Sequence, residues 1–503
     1  MANRLSADPS HRVLLIEAGP ANTRREISIP AAFPNLFRTE VDWRYATVAQ
    51  PALNDRCVYL PRGKTLGGSS STNAMVFQRG HRLDFEHWAE LGNVGWGWSD
   101  VLPYFKRLES WTGPPSPLRG TDGPMAVEPL RDPNPLTRTF IAAAEANGIA
   151  RAPDYNGEIM DGVSAAQVTQ RRGRRWSTAD AYLAPVRARP NLTVRTDVHA
   201  ARVVVAGERV VGVAFAGAHE EVRARREVIL AAGAFNSPQL LLLSGIGPAA
   251  QLRAHGIDVA RDLPGVGRNL QEHAMFGLRY ACTVPQSLLA AKSIGSVARY
   301  LVLRSGMLAS NICEGVCFVR TSPELPAPDL ELAFAPVYYD TDNPPAQHAF
   351  SLAAVCLQPK STGTVELASR DPLAPPRIHP DFYADRADLD VMLHGVMLAR
   401  RILADAAFAG CRGAELVPGA DARTKDDLEG ALRRHTETIY HPVGTCRMGT
   451  DAMAVVDPEL RVHGIAGLRV VDASVMPRIV RAHTNATTIM IAEKAADLIA
   501  AGR

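Results

Sequence analysis

An α/β fold is predicted for this chain of 503 residues by three stretches in which a short apolar strand meets an acidic residue or a helix. Val13-Leu14-Leu15-Ile16 ends at Glu17. Glu227-Val228-Ile229-Leu230-Ala231-Ala232 leads through Gly233 into the apolar run Leu240–Leu243. Leu468-Arg469-Val470-Val471 ends at Asp472, and a helix from about Ala486 to Ala500 follows the cap-like pair Thr484-Asn485. A strand that delivers an acid beside a helix N-terminus makes a place for an electron-rich ligand. Unpaired amides and the helix dipole favour negative charge there.

A chain of this length exceeds what one core supports, so two interleaved domains are expected. With 46% hydrophobic and 21% charged residues the composition is that of an ordinary globular protein. A net charge of +3 gives no reason to expect nucleic acid, and the basic run Arg171–Arg175 reads as a solvated turn. No run of 18 apolar residues predicts a membrane span, and Met1–Ser6 lacks the apolar core of a secretory signal. The seven cysteines form no CxxC pair and no metal spacing with histidine. They are expected to be reduced thiols in a cytoplasmic protein, with no metal.

Taken in order, Ala2–Ser6 reads as the tail of a helix, and Arg12–Glu17 as a strand ending in an acid. In a dinucleotide-binding βαβ unit such an acid contacts the adenosine ribose and lies about 20 residues after a glycine-rich loop. Counting back from Glu17 lands before Met1, so the first strand and the GxGxxG loop are expected to lie outside this sequence. Met1 is then expected not to be the natural start.

Pro61–Gly80 holds the cluster Gly67-Gly68-Ser69-Ser70-Ser71-Thr72-Asn73-Ala74-Met75-Val76. Glycine pairs let a backbone approach a flat ligand, and the serines offer donors at a helix start. Trp88–Phe105 reads as helix, aromatic turn and helix, its aromatics in the core. Leu136–Asn147 is an amphipathic helix, and Ala179–Leu183 is helical. Asn191–Val205 and Val210–Phe215 alternate as strands around Gly207. From Ala281 to Thr436 helical and strand-like pieces alternate with proline. Two histidines, His441 and His483, flank the Asp472 corner and form a candidate acid/base pair.

The blocks Gly67–Val76, Gly233–Gly247, Leu263–His273, His441–Gly449 and Val471–Pro477 occur in the order and wording of the glucose–methanol–choline oxidoreductases, which this chain resembles from end to end. The resemblance implies an FAD-binding Rossmann-like domain with an interleaved α+β substrate domain. Residues 1–278 are expected to be mainly FAD-binding, 279–436 mainly substrate-binding, and 437–503 to return to the FAD domain. The family's cofactor positions fall here on Glu17, Gly67, Gly68, Ser69, Asn73, Met75, Val76, Val198, Asp472, Ala473, Asn485, Ala486 and Thr487. Some members link FAD covalently through a histidine where this chain has Thr72, so non-covalent FAD is implied.

The family's two active-site positions are His441 and His483. The first is expected to be the principal base and the second the partner of the substrate oxygen. Asn311, Glu314, Phe334 and Tyr338 are candidates for the pocket wall. The implied reaction is oxidation of a primary or secondary alcohol, with hydride passing to the flavin and on to oxygen, a quinone or another acceptor. The alternatives are a hydroxynitrile-lyase-like flavoprotein, or a flavin-free, non-catalytic protein if Met1 is the true start.

Overall fold

The computed structural model of the chain describes residues 1–217, 220–340 and 347–502. Two parallel strand pairs carry the sequence's opening prediction. Val13–Ile16 pairs with Leu192–Arg195, and Val228–Leu230 pairs with Leu468–Val470. Parallel neighbours need a long connection between them. Here the connections are most of the molecule, so this half of the fold is gathered from the beginning, middle and end of the chain. Helix Gly233–Leu243 follows the strand Val228–Leu230, and helix Asn485–Ala501 comes after Leu468–Val470.

The expected strand Asn191–Val205 is broken in two. Leu192–Arg195 stays in the parallel pair, whereas Ala200–Ala206 joins an antiparallel sheet with Arg209–Phe215 and Glu221–Arg223. The break falls at Asp197, whose φ is +59° and whose N–H donates to the Gly19 carbonyl. Alternation of apolar residues continues across the break, which is why the pattern reads as one strand.

The two largest hydrophobic clusters draw on different parts of the chain. One draws on stretches from Phe77 to Val127, Ala181 to Val266 and Val443 to Ala495. The other takes Leu136 to Val163 and Ala274 to Leu432. Trp88 and Trp96 belong to the first and are wholly buried, and their ring N–H groups donate to the carbonyls of Arg478 and Pro458. The cysteines among the described residues are all unpaired.

The second core lies against a largely antiparallel sheet in the order Arg412–Val417, Ala274–Cys282, Ala349–Cys356, Leu330–Ala335, Gly315–Val319 and Gly162–Ala165. Helices Pro135–Ala146 and Arg386–Leu403 pack on one face of it. In Arg386–Leu403, Asp385 caps the N-terminus by accepting from Ala387 N–H, and Leu389, Met392, Leu393, Val396, Ala399 and Leu403 recur at helical spacing on the buried side. Each large apolar side chain removed from water there is worth about 1.5–3 kcal/mol. Gly395 sets the helix-to-sheet distance, since a Cβ at that position would lie 2.8 Å from both Ala354 Cβ and Leu330 Cδ1.

Alternation along the strands sorts the other face. Leu330, Leu332 and Phe334 point into the helix-covered core, and Phe334 stacks on Phe140 with ring centroids 5.0 Å apart. Phe334 is therefore a core residue and not pocket wall. Glu331 alternates with these residues, and Met275, Ala333, Ala353 and Val355 cluster together on that side. Small side chains at Ala333 and Ala353 keep that surface low where the chain brings His441 and His483.

Candidate functional site

His441 is held by its backbone. Tyr440 has φ of +70°, a conformation that a bulky side chain adopts only when its surroundings impose it. Arg62 donates to the Tyr440 carbonyl at 2.6 Å, and Tyr440 N–H donates to Thr438 Oγ1 at 2.8 Å. The N–H of His441 donates to Glu272 Oε1 at 2.6 Å. Glu272 is buried, and that burial pushes its carboxyl up to about 7 against the pull of Arg62.

Three imidazoles stand in a row. The rings of His441 and His483 are 4.6 Å apart, and Nδ1 of His441 lies 3.0 Å from Nδ1 of His273. The far nitrogen of His273, Nε2, is 3.1 Å from the Leu357 carbonyl, which can only accept, so Nε2 carries the hydrogen. Burial drives the His273 pKa down to about 3, leaving it neutral with Nδ1 as an acceptor. His441 must then donate from Nδ1, and its own Nε2 keeps a lone pair. Burial, followed by the neighbouring His483, His273 and Arg62, also lowers the His441 pKa well below the ordinary value. The arrangement can accept a proton at His441 Nε2.

His483 is held differently. Its N–H donates to Gln78 Oε1 at 3.0 Å, and its Nε2 lies 3.3 Å from Oε1 of Glu331. Glu331 is 1% exposed, and its second oxygen has no partner among the described residues. A buried carboxylate only accepts, so it takes a hydrogen bond from that nitrogen and fixes the orientation of the ring.

The residues expected around a cofactor fall into connected groups. Glu17 accepts from Gly19 N–H at 2.8 Å, and its backbone carbonyl accepts from Val198 N–H at 3.1 Å. Burial pushes the Glu17 carboxyl up to about 7. Pro20, just beyond, accepts at its carbonyl from Thr65 Oγ1 at 2.8 Å, which ties this corner to the glycine–serine stretch. There Gly67 and Gly68 have φ of +90° and +53°, and the serines form a short turn, Gly68–Ser71, in place of a helix start. Gly63 N–H donates to Ser69 Oγ at 3.1 Å. Asn73 Oδ1 accepts from Met75 N–H at 3.0 Å and from Arg175 at 2.7 Å. Val76 bridges to Val168.

The stretch ends against helix Asn485–Ala501, where Thr487 Oγ1 donates to the Arg79 carbonyl at 3.0 Å. Ala473 reaches the His441 turn through its carbonyl, which accepts from Gly444 N–H at 3.3 Å.

Three expectations need correction. Thr484 takes the N-cap position of the helix but makes no side-chain cap; its carbonyl accepts from Thr488 Oγ1 at 2.8 Å. Glu314 does not line the pocket, because it is bonded to Asn134, Thr137 and Ser310 inside the fold. The carboxylate of Asp472 is consumed internally: Oδ2 accepts from Gly233 N–H and Ser237 Oγ, and Oδ1 from Ser474 N–H and Oγ. It joins the ends of two parallel strands, so only its backbone is left to face a ligand. Asn311 donates to the carbonyls of Ala74 and Cys313, its Oδ1 has no partner among the described residues, and Tyr338 carries Arg279 over its ring.

These surroundings fit FAD. A Cβ at Gly68 or Gly233 would meet nothing within 4 Å, so backbone lies open at both corners. The 17-residue helix Asn485–Ala501 has no side-chain cap at its N-terminus, which leaves its first amides and its dipole for an electron-rich or anionic group. Arg175, buried beside Asn73, has one guanidinium nitrogen without a partner among the described residues. Open glycines, free amides and a buried cation form a donor set suited to a long, anionic, partly planar group.

His273, Glu331, Gln78 and Arg175 are the residues that sequence reasoning missed. A single acid inside the apolar strand Leu330–Ala335 is a signal that could have found Glu331.

A family model described as GMC oxidoreductase matches residues 14–275, and a second of the same description matches 359–492. The chain is 46% identical over 516 residues to an uncharacterized GMC-type oxidoreductase of Mycobacterium tuberculosis, covering 99% of this chain and 96% of that protein. It is 43% identical to an oxygen-dependent choline dehydrogenase of Brucella canis and 42% identical to an alcohol dehydrogenase (acceptor) of Pseudomonas putida, covering in each case 99% of this chain and 93% of the relative. Among solved structures, a pyridoxine 4-oxidase from Mesorbium loti superposes with a TM-score of 0.90 at 34% identity, covering 99% of this chain and 96% of that one. A formate oxidase variant of Aspergillus oryzae, made to study FAD modification, superposes at 0.94 with 28% identity, covering 100% and 96%.

Proposed function

The chain belongs to the GMC oxidoreductase family, and from that premise we propose that it is an FAD-dependent oxidoreductase that converts a primary or secondary alcohol to an aldehyde or ketone, with His441 as base. The family and the relatives named choline dehydrogenase and alcohol dehydrogenase support a CH–OH donor. The observation that carries the roles is the pair His441 and His483, each with one ring nitrogen engaged by the protein and the rings 4.6 Å apart.

FAD, when bound, supplies the acceptor for the hydride that leaves the carbinol carbon. Glu17 and Val198 would hold its adenosine end. Gly67, Gly68, Ser69, Asn73, Met75 and Val76 would lie along it. Asp472 and Ala473 through their backbone, and the amides of Asn485, Ala486 and Thr487, would meet its electron-accepting ring. Thr72 has no imidazole for the histidine link that some family members make, so the cofactor is held non-covalently.

The chain's own residues manage the proton. An alcohol gives up hydride readily only as its O–H bond loosens, and Nε2 of neutral His441 takes that proton while Nδ1 stays bonded to His273. A base in this position contributes typically about 10²–10⁴-fold in rate. His483 is the hydrogen-bonding partner of the substrate oxygen, and Glu331 at its Nε2 holds the orientation of the ring. The carbinol carbon loses two electrons with the hydride, the oxygen loses its proton to His441, and the carbonyl compound leaves.

Mixing the flavin-loaded protein anaerobically with a panel of alcohols tests this reading. At least one alcohol should bleach the flavin's visible absorbance. A flavin that dithionite reduces but no alcohol on a broad panel does would overturn it.

A further inference from the structure

Helix Ile294–Leu303 stands out because it buries almost nothing. Of its ten residues only Tyr300 is buried. Ile294, Val297, Leu301, Val302 and Leu303 are 90%, 38%, 63%, 79% and 60% exposed, five of the eleven exposed large hydrophobics among the described residues. The other six are distributed over five other parts of the chain, whereas these five share one helix. An exposed apolar surface this concentrated marks a docking face.

The chain around it is basic. Residues 283–313 contain no aspartate or glutamate but do contain Lys292, Arg299 and Arg304. The arginine run that the sequence singles out lies against the same helix as a hairpin, with Gln170–Arg171 paired to Arg174–Arg175. A Cβ at Gly173 in its turn would lie 2.1 Å from the Arg304 carbonyl at the helix C-terminus. Arg171, Arg172 and Arg174 are exposed there, while Arg175 turns inward. Three carboxylates lie close to this group. Asp132 pairs with Arg299 at 2.7 Å, Glu128 accepts from the Arg172 N–H at 3.1 Å, and Asp122 lines the cleft beside Arg171. Six cations against three anions leave the rim of the apolar helix positive.

We propose that helix Ile294–Leu303 and the hairpin beside it dock on an anionic lipid bilayer. Ten residues make a helix about 15 Å long, half of what a span requires, so the helix lies in the headgroup layer with its apolar side chains inserted. The arginines of the hairpin and Lys292 meet the lipid phosphates. A second copy of this chain is a poorer occupant, because a two-fold contact sets the same six cations against themselves. The turn after the helix carries Met307, which packs on the cluster of Phe33, Leu36, Ile312 and Met75, so the docked face adjoins the interior near the candidate site. This inference does not depend on the oxidation chemistry, and its test needs no turnover.

The full chain is floated on a density gradient with vesicles of phosphatidylcholine alone, or of phosphatidylcholine with a quarter phosphatidylglycerol. Recovery with the anionic vesicles should exceed that with neutral ones by about tenfold and fall in half-molar salt. The pair Leu301→Ser with Val302→Ser, and separately Lys292→Glu with Arg174→Glu, should each cut the floated fraction about tenfold without changing the thermal melt. Absence of the wild-type chain from the anionic vesicle fraction would overturn the proposal. So would flotation that neither pair of substitutions alters, or a concentration-dependent dimer lost with Leu301→Ser and Val302→Ser while no vesicle binding is seen.

Discussion

Nε2 of His483 lies 3.3 Å from Oε1 of Glu331, a partner 152 residues away in the chain. The carboxylate is buried, and among the described residues it is hydrogen-bonded by His483 and Gln78. It therefore acts on substrate through the ring of His483, which makes it a positioning residue. Glu331→Gln keeps the shape and removes the charge. A charge-assisted hydrogen bond is worth about 1.5–3 kcal/mol, so flavin reduction should slow about 10- to 100-fold. Substrate affinity should change far less. A structural role alone would lower the melting temperature without that split, and unchanged reduction rates would remove Glu331 from the mechanism.

His441→Ala should slow reduction by about a hundredfold or more with the flavin spectrum intact. His273→Ala should slow it less, because the base survives but its tautomer is no longer fixed. Stopped-flow absorbance on both variants is the measurement. Wild-type rates in His441→Ala and in His483→Ala would leave the two histidines as scaffolding.

The depressed His441 pKa has a sign that can be checked. The competent form is the neutral ring, and lowering its pKa preserves that form as pH falls. Flavin reduction should change by less than about twofold between pH 8 and 6.5, where an unshifted histidine would already be half protonated. A rate that halves by pH 6.5 with the fold intact would count against His441 as the base.

Thr72 stands where a covalent link would need a histidine. Acid precipitation of the loaded protein should release all of its flavin to the supernatant, and yellow colour retained in the pellet would refute the non-covalent reading.

Stability away from the site rests on a buried charge cluster. Glu109 accepts from both Arg79 and Arg119, and all three side chains are at most 1% exposed. Arg119 also pairs with Asp154 at 2.8 Å. Burial lowers the Arg79 pKa to about 10 despite Glu109. Glu109→Gln strands a guanidinium in the core and should cost about 3–5 kcal/mol. Chemical denaturation of the variant reads this directly, and a loss under about 1 kcal/mol would show the cluster to be solvated.

What the sequence determined by itself was local. Apolar strands ending at Glu17 and Asp472, the glycine pair at 67 and 68, and the helix after Thr484 are written in neighbouring residues, because strand alternation, left-handed turns and helix periodicity are set within a few positions. Motif wording then carried the family, and with it the proposal of His441 and His483 as the acid/base pair.

Only the tertiary structure decided what those residues touch. The Asp472 carboxylate serves the protein, through bonds to Gly233, Ser237 and Ser474, and Thr484 occupies a cap position without capping. The tautomer of His441 is fixed by His273 and the Leu357 carbonyl, and the charge beside His483 by Glu331. These partners come from separate strands and turns whose spacing in sequence carries no period. Hydrogen bonds and desolvation act over about 3 Å of space, and which side chains come that close follows from how the sheet and the parallel strands pack.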